Sequence, residues 1–313
     1  MKKTIYSLLI SLIAICCSCK NSSKPNNNTE KDSLITFTLP EIPVMYTSTE
    51  QRADFLVKNY WKNYNFSDTV LIHHPEVSEQ AWVDFINILP HVPMQTAHEG
   101  ITKTFELAQA DKKVYDYFAT LADKYLYDPN SPFRNEEYYI PVLESIIQSD
   151  LMSGIEKIRP KARLELALKN RVGQKAIDFT YTLSSGKQGR LYNVSTDFTL
   201  LFFNNPGCHS CEETIESIKN SLQIQYYLSN KKLTILSVYP DEDLEEWKLH
   251  LSNFPKEWIN GYDKEQTLKM KNLYDLKAIP TLYLLDNEKN VLLKDATFEA
   301  VEGYLREHKS TKF

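Results

Sequence analysis

Cys208 and Cys211 stand three positions apart in the stretch Asn204-Asn205-Pro206-Gly207-Cys208-His209-Ser210-Cys211. If a helix begins there, that spacing brings both sulfurs to one side, as a disulfide requires. A cysteine at a helix N-terminus has its thiolate stabilised by unsatisfied N–H groups and the helix dipole. Cys208 holds that place and is expected to be the exposed nucleophile. Cys211, one turn on, faces the core and is expected to resolve the mixed disulfide. His209 lies between them, where an imidazolium would favour the thiolate further. The chemistry such a pair supports is thiol–disulfide exchange.

The remaining cysteines bear on the same question. Cys16, Cys17 and Cys19 crowd the end of an apolar stretch, Ile5 to Ile15, that is too short to span a bilayer and follows the basic Met1-Lys2-Lys3. This reads as an export signal. It resembles a bacterial lipoprotein signal, in which a cysteine behind small residues is lipidated and becomes the mature N-terminus. Cys19, behind Ser18, fits best, and Cys17 is the second choice. With Cys19 as the anchor, Cys208 and Cys211 are the thiols left in the mature chain. Two cysteines at that spacing are no multi-disulfide scaffold. Outside the cytoplasm a spare dithiol oxidises, so the spacing points to redox use. The expected location is the envelope of a Gram-negative bacterium, lipid-anchored and facing the periplasm.

The elements that must position the pair follow from the pattern. The chain has 313 residues, 42% of them hydrophobic, enough for a sizeable core and suggestive of two domains. A net charge of −5 gives no reason to expect a nucleic-acid partner. Residues 1–19 are the signal and anchor, and the polar residues 20–39 read as a tether. From about 40 to 170 the period is helical. Ala53, Leu56, Val57, Tyr60, Trp61 and Tyr64 form one stripe, and Val114, Tyr117, Phe118, Leu121, Ala122 and Tyr125 another. Trp82, Phe85, Ile86 and Leu89 make a shorter stripe, opened by Ser78 as N-cap and closed by Pro90, and a further stripe runs from Tyr139 to Ile147. Pro160 suits the first turn of a last helix ending near Gly173. These stripes read as the core of a helical bundle.

Beyond about residue 171 the period changes. Phe179–Leu183 and Arg190–Val194 read as a hairpin, and Leu200–Phe203 as a buried strand. A helix follows with Cys211, Ile215, Ile218 and Leu222 on one stripe. Leu233–Tyr239 is a second buried strand, with helices over Leu244–Phe254 and Thr267–Tyr274. Thr281–Leu285 and Val291–Leu293 form a hairpin, and a last helix covers about Phe298–Glu307. Strands alternating with helices argue for an α/β sandwich on a central sheet.

That order of elements, with the CxxC pair after an apolar strand and Ala278-Ile279-Pro280-Thr281 before another, resembles the periplasmic thioredoxin-like, redoxin-type thiol–disulfide oxidoreductases. The likeness covers residues 173–313, within a second domain over 171–313, and includes Ala176-Ile177-Asp178-Phe179. It implies an α/β thioredoxin fold behind an all-α helical domain. The helical part, through segments such as Asn65-Phe66-Ser67-Asp68-Thr69, resembles a domain of unknown function found ahead of such folds in lipoproteins. The resemblance makes Pro280 a cis-proline beside the disulfide and Ile279 the residue whose backbone pairs with a bound peptide. It implies protein thiols and disulfides as substrates, a membrane or periplasmic electron donor or acceptor, attachment to the membrane through the lipid, and no cofactor. The chain departs from thioredoxin twice. Gly207 stands where a Trp precedes the first cysteine, and Phe202 stands where a buried acid assists proton transfer. Asp241, after the second strand, is a weak substitute for that acid.

Other chemistries are set aside. A zinc site needs two further ligands, and His73, His74 and His91 lie in the helical segment with no second pair at ligand spacing. A peroxiredoxin-like peroxidase would resemble Thr-x-x-Cys, whereas Asn205 holds the Thr place. The competing reading is a non-catalytic, peptide-binding lipoprotein of thioredoxin fold whose disulfide is structural.

Overall fold

The structure, a computed structural model, describes residues 36–309. Cys17, Cys19, the export signal and most of the tether lie outside the described residues. The described residues belong to one compact unit.

Helices come first: α1 (Thr49–Asn59), α2 (Pro75–Ile88), α3 (Met94–Ala108), α4 (Lys112–Ala122), α5 (Glu136–Gln148) and α6 (Ile158–Ala167). Their core is aromatic. Trp61 and Phe118 meet edge to face at 5.4 Å, and Phe105 and Tyr115 do so at 5.6 Å, the geometry the ring quadrupole favours. Two expectations are corrected, and one helix goes beyond them. α2 begins at Pro75, not at Ser78, which is buried inside it and donates to the Leu71 carbonyl at 2.7 Å. Pro160 sits in the first turn of α6, but that helix stops at Ala167, well short of Gly173. α3 carries no strong stripe in the sequence, because small and polar residues, Thr96, Ala97, Gly100 and Thr104, share its buried face with Ile101 and Phe105.

Gly100 explains that face. A Cβ there would stand 2.5 Å from Val57 Cγ1 and 3.4 Å from Phe85 Cζ. Alanine gains about 1 kcal/mol in helix propensity, overpacking costs about 1–3 kcal/mol, and β-branched Val57 has little rotamer freedom with which to retreat. The Gly100→Ala protein is therefore expected to lose about 1 kcal/mol, read as a lower urea midpoint at unchanged slope. A raised midpoint would mean that α1 and α3 separate freely.

The second half is a seven-stranded sheet in the order β2-β1-β5-β4-β3-β6-β7. Its strands are β1 (Thr180–Leu183), β2 (Gln188–Arg190), β3 (Phe198–Phe203), β4 (Leu233–Tyr239), β5 (Ile259–Tyr262), β6 (Thr281–Leu285) and β7 (Val291–Ala296). β3, β4 and β5 run parallel, and β6 lies antiparallel to β3. The helices are α7 (His209–Asn220), α8 (Leu222–Ser229), α9 (Leu244–His250), α10 (Thr267–Met270) and α11 (Phe298–Lys309). Alternation along β3 splits the core in two. Leu200 and Phe202 pack with Cys211, Ile215 and Val301, while Leu201 and Phe203 pack with Phe179, Tyr274 and Tyr283.

Four details differ from the pattern reading. Leu191–Asn193 is a 3-10 turn rather than strand. α9 and α10 are shorter than expected, and β5, which the apolar pattern does not single out, fills the sheet between β4 and β1. The helix after Cys211 breaks at Ser221, whose backbone is extended and whose Oγ accepts from Ile224 N–H at 3.1 Å. The chain restarts with a new rotation, so Leu222 is 88% exposed while Ile224 and Tyr227 take the core.

Charged side chains join the helical part to the sheet. Glu136 and Glu137 open α5, where carboxylates suit the helix dipole. Glu137 takes a two-pronged bond from Arg171, with Nε 3.0 Å away. Glu136 pairs with Lys294 of β7, whose Nζ also donates to the carbonyls of Ala167 (3.0 Å) and Lys169 (2.6 Å). Arg134 donates to the Asp295 carbonyl at 2.9 Å and faces its carboxylate at 3.4 Å. Lys277 stands 2.7 Å from Asp275 and 3.6 Å from Asp295.

Candidate active site

The sequence places Cys208 and Cys211 where β3 runs into α7, and the structure brings them together. The loop between them is held by Asn204, buried, which donates from Nδ2 to Ser237 Oγ of β4 at 2.7 Å and to the Phe202 carbonyl at 3.1 Å. Gly207 then turns with φ of +66°. Only glycine adopts that conformation freely, and another residue there costs roughly 1–2 kcal/mol. The glycine found where the resemblance places a Trp thus has a backbone reason.

Cys208 is the N-cap of α7. Its Sγ accepts from the Cys211 N–H at 3.3 Å, and the thiol of Cys211 donates to the same sulfur, with the two Sγ atoms 2.7 Å apart. Both cysteines are free. Cys208 is partly exposed, whereas Cys211 is 1% exposed and packs with Phe202 and Ile215. Burial, reinforced by the hydrogen bond to Cys208, pushes the Cys211 thiol far above its ordinary range. One sulfur is therefore presented to solvent with a backbone donor on it, and the other is held behind it as a thiol.

Ile279 and Pro280 lie against this pair. The Ile279–Pro280 peptide is cis, and the Ile279 carbonyl is 3.8 Å from Cys208 Sγ. Thr281 Oγ1 donates to the Ala278 carbonyl at 2.6 Å and ties the loop to the start of β6. His209 points outward. Its side chain is 84% exposed, and Nε2 is 3.2 Å from Glu213 Oε1 one turn on. Asp241 is paired with Lys269. Phe202, where the resemblance places an acid, packs with Cys211 in the same apolar cluster. Among the described residues no group of three or more His, Cys, Asp or Glu could hold a metal ion, and no helix is long and apolar enough to cross a membrane.

Residues of the helical part also reach this neighbourhood. A groove of about 770 Å³ runs from Ser210 and Glu213 of α7 past Ile279 and Pro280 to Pro129, Asn130 and Arg134. Arg134 is a residue that sequence reasoning missed. It stands in a Pro-bounded loop with no periodicity, and only the folded chain sets it beside β7. Asn204 was missed likewise, since a polar residue after an apolar strand reads as loop.

Two family models match the chain: a domain of unknown function (DUF5106) over residues 15–170, and a thioredoxin-like family over residues 196–291. Among solved structures, a thioredoxin-like protein from Bacteroides caccae is 63% identical with a TM-score of 0.86, covering 88% of this chain and 100% of its own. The C-terminal domain of an uncharacterized protein from Bacteroides fragilis is 61% identical with a TM-score of 0.43, covering 44% of this chain and 98% of its own. A domain of a possible thiol-disulfide isomerase from Cytophaga hutchinsonii is 24% identical with a TM-score of 0.39, over 46% of this chain and 97% of its own. No curated protein matches.

Proposed function

The chain belongs to the thioredoxin-like family, and from that premise we propose that it is a thiol–disulfide oxidoreductase acting on protein disulfides through Cys208 and Cys211. The observation that carries this reading is the asymmetry of the pair: Cys208, partly exposed, caps α7 beside Ile279, and Cys211, buried, donates its thiol to Cys208 Sγ.

The steps balance as follows. The Cys208 thiolate attacks one sulfur of a partner disulfide. A Cys208–partner bond forms, the partner S–S bond breaks, and the displaced partner sulfur leaves with the electron pair. The Cys211 thiol loses its proton and attacks Cys208 Sγ. The mixed disulfide breaks, the second partner sulfur leaves as thiolate, and the Cys208–Cys211 disulfide closes. The partner gains two electrons and the chain loses two. Exchange is reversible, and relative potentials set its direction. The Ile279 backbone, beside Cys208, is placed to pair with the chain carrying the attacked disulfide. The same reading puts the protein in the bacterial envelope, tethered through a lipidated Cys19 and served by a membrane or periplasmic electron carrier. The support for that placement is the sequence of residues 1–19.

Two measurements test the proposal. The protein with a reductant is expected to reduce the disulfides of insulin above the uncatalysed rate. The Cys211→Ser variant is expected to accumulate a mixed disulfide with its substrate, released by dithiothreitol. No rate above background and no adduct would overturn it.

A further inference from the structure

We propose that the loop of the helical part around Pro129, Asn130 and Arg134 is one wall of the partner-binding groove, and that the groove selects an extended polypeptide segment carrying positive charge beside its disulfide. The inference rests on the proposed redox reading and names the partner chemistry of that site.

Three observations carry it. The groove is continuous from Ser210 and Ile279, which flank Cys208, to the loop of the helical part. A segment that reacts at Cys208 and pairs with Ile279 has this groove beside it along which to run. The loop is also fixed in place. Arg134 donates to the Asp295 carbonyl of β7 at 2.9 Å, Ser131 Oγ donates to the Tyr125 carbonyl at 2.6 Å, and Asn135 N–H donates to the Leu126 carbonyl at 3.1 Å. Pro129 and Asn130 are left exposed at its tip. A pinned wall discriminates between partners in a way that a loose one does not, since little ordering entropy is lost on binding.

The third observation is charge. The floor is apolar, from Pro280, Leu282, Ala296 and Phe298, and the lining holds the carboxylates of Glu213, Glu216, Asp295 and Glu299 against the single guanidinium of Arg134. Arg134 is already matched by Asp295 and Glu216 by Lys219, and Glu213 has the exposed His209 beside it, so the charge left over is negative, that of Glu213 and Glu299. An acidic rim over an apolar floor fits a segment with an apolar residue near its cysteine and Lys or Arg flanking it. A like-charged segment is turned away, and electrostatic matching of this kind acts on encounter rate and partner choice more than on raw affinity.

The test compares two disulfide-bearing peptides of one length and one apolar core, flanked by Lys in the first and Glu in the second, as substrates of the full chain. The Lys peptide is expected to have the higher kcat/KM by at least about fivefold at low ionic strength, with the preference shrinking at high salt. Asn130→Lys, which adds one positive charge to the wall, is expected to lower that ratio at least about twofold. Ser185→Lys adds the same charge in the β1–β2 turn, at the far edge of the sheet from β7, and is expected to leave the ratio unchanged. Reduction of neither peptide would overturn the redox reading and this inference with it. Reduction of both at equal rates, or an equal effect of the two lysines, would overturn this inference alone.

Discussion

Replacing Cys208 by serine is expected to lower disulfide exchange by at least about a thousandfold, since the attacking thiolate is lost and loss of a nucleophile that acts as one unit with its partner has effects of that order or larger. Cys211 cannot take over. It is 1% exposed, and burial, the largest cause of its raised pKa, persists in the variant and holds it as a thiol. Iodoacetamide should accordingly label Cys208 first in the reduced protein, and the Cys208→Ser variant should react slowly throughout the neutral range. Equal insulin-reduction rates for wild type and variant would sink the assignment and favour a structural disulfide in a peptide-binding module. The same asymmetry sets a pH dependence. Cys211 must lose its proton to resolve the mixed disulfide, and Phe202, which packs with it where the resemblance places an acid, cannot take that proton. Burial, the largest cause of its raised pKa, remains in the mixed disulfide, so the thiolate fraction grows about tenfold per pH unit below that raised value. Resolution measured in single turnovers should therefore rise across neutral and mildly alkaline pH without levelling. A plateau near neutrality would mean that another group takes the proton.

Replacing Lys294 by alanine is expected to cost about 3–5 kcal/mol, the range for removing one partner of a buried ion pair. Lys294 is 7% exposed at its side chain and is the nearer of two cations beside Glu136, with Lys277 3.9 Å from the other carboxylate oxygen. It also holds the carbonyls of Ala167 and Lys169, where the helical part hands over to the sheet. Burial already raises the Glu136 carboxyl above its ordinary range against the pull of Lys294 and Lys277, and it raises Asp295 against Arg134 and Lys277. Without Lys294 the Glu136 value climbs further. A carboxyl whose folded pKa exceeds its unfolded one binds more protons in the folded state between the two values, so stability falls as pH rises through that window. The window opens at the ordinary value of 4.5 for Glu136. The deficit of Lys294→Ala should thus be full at alkaline pH and shrink as pH falls and Glu136, its carboxyl raised, takes up its proton above the ordinary carboxylate range. Urea unfolding at pH 8 and pH 5.5 reads this directly. A deficit equal at the two pH values, or below about 1 kcal/mol, would mean that the pair is hydrated rather than buried.

Legibility followed periodicity. β3 and β4 are runs of apolar residues with both faces covered, and such runs read as strands without help. The α1 and α4 stripes were legible because Ala53 and Val57 in the first, and Val114, Phe118 and Leu121 in the second, repeat at helical spacing. α3 was not, because its packing depends on the closeness that Gly100 and Thr104 allow, and small residues leave no apolar stripe. The break at Ser221 was hidden for a related reason. Leu222 continues the stripe of Cys211, Ile215 and Ile218 in spacing, and only the bond from Ser221 Oγ to Glu302 of α11, at 2.6 Å, gives the serine a tertiary reason to end one helix and cap the next.

What the sequence by itself determined is local. The spacing of Cys208 and Cys211, their place between an apolar strand and a helix, and the expectation that the first is presented and the second is buried all follow from short-range rules of chain geometry and helix electrostatics. Tertiary structure supplied the distant contacts. It set Ile279, whose role the resemblance only implied, 71 positions from Cys208 against its sulfur. It carried Arg134 161 positions along the chain to Asp295, making the helical part a wall of the same groove. The physical reason is common to both. Hydrogen bonds and ion pairs between distant segments form only where packing has already brought the backbone within reach, and no short-range pattern of residue types encodes that distance.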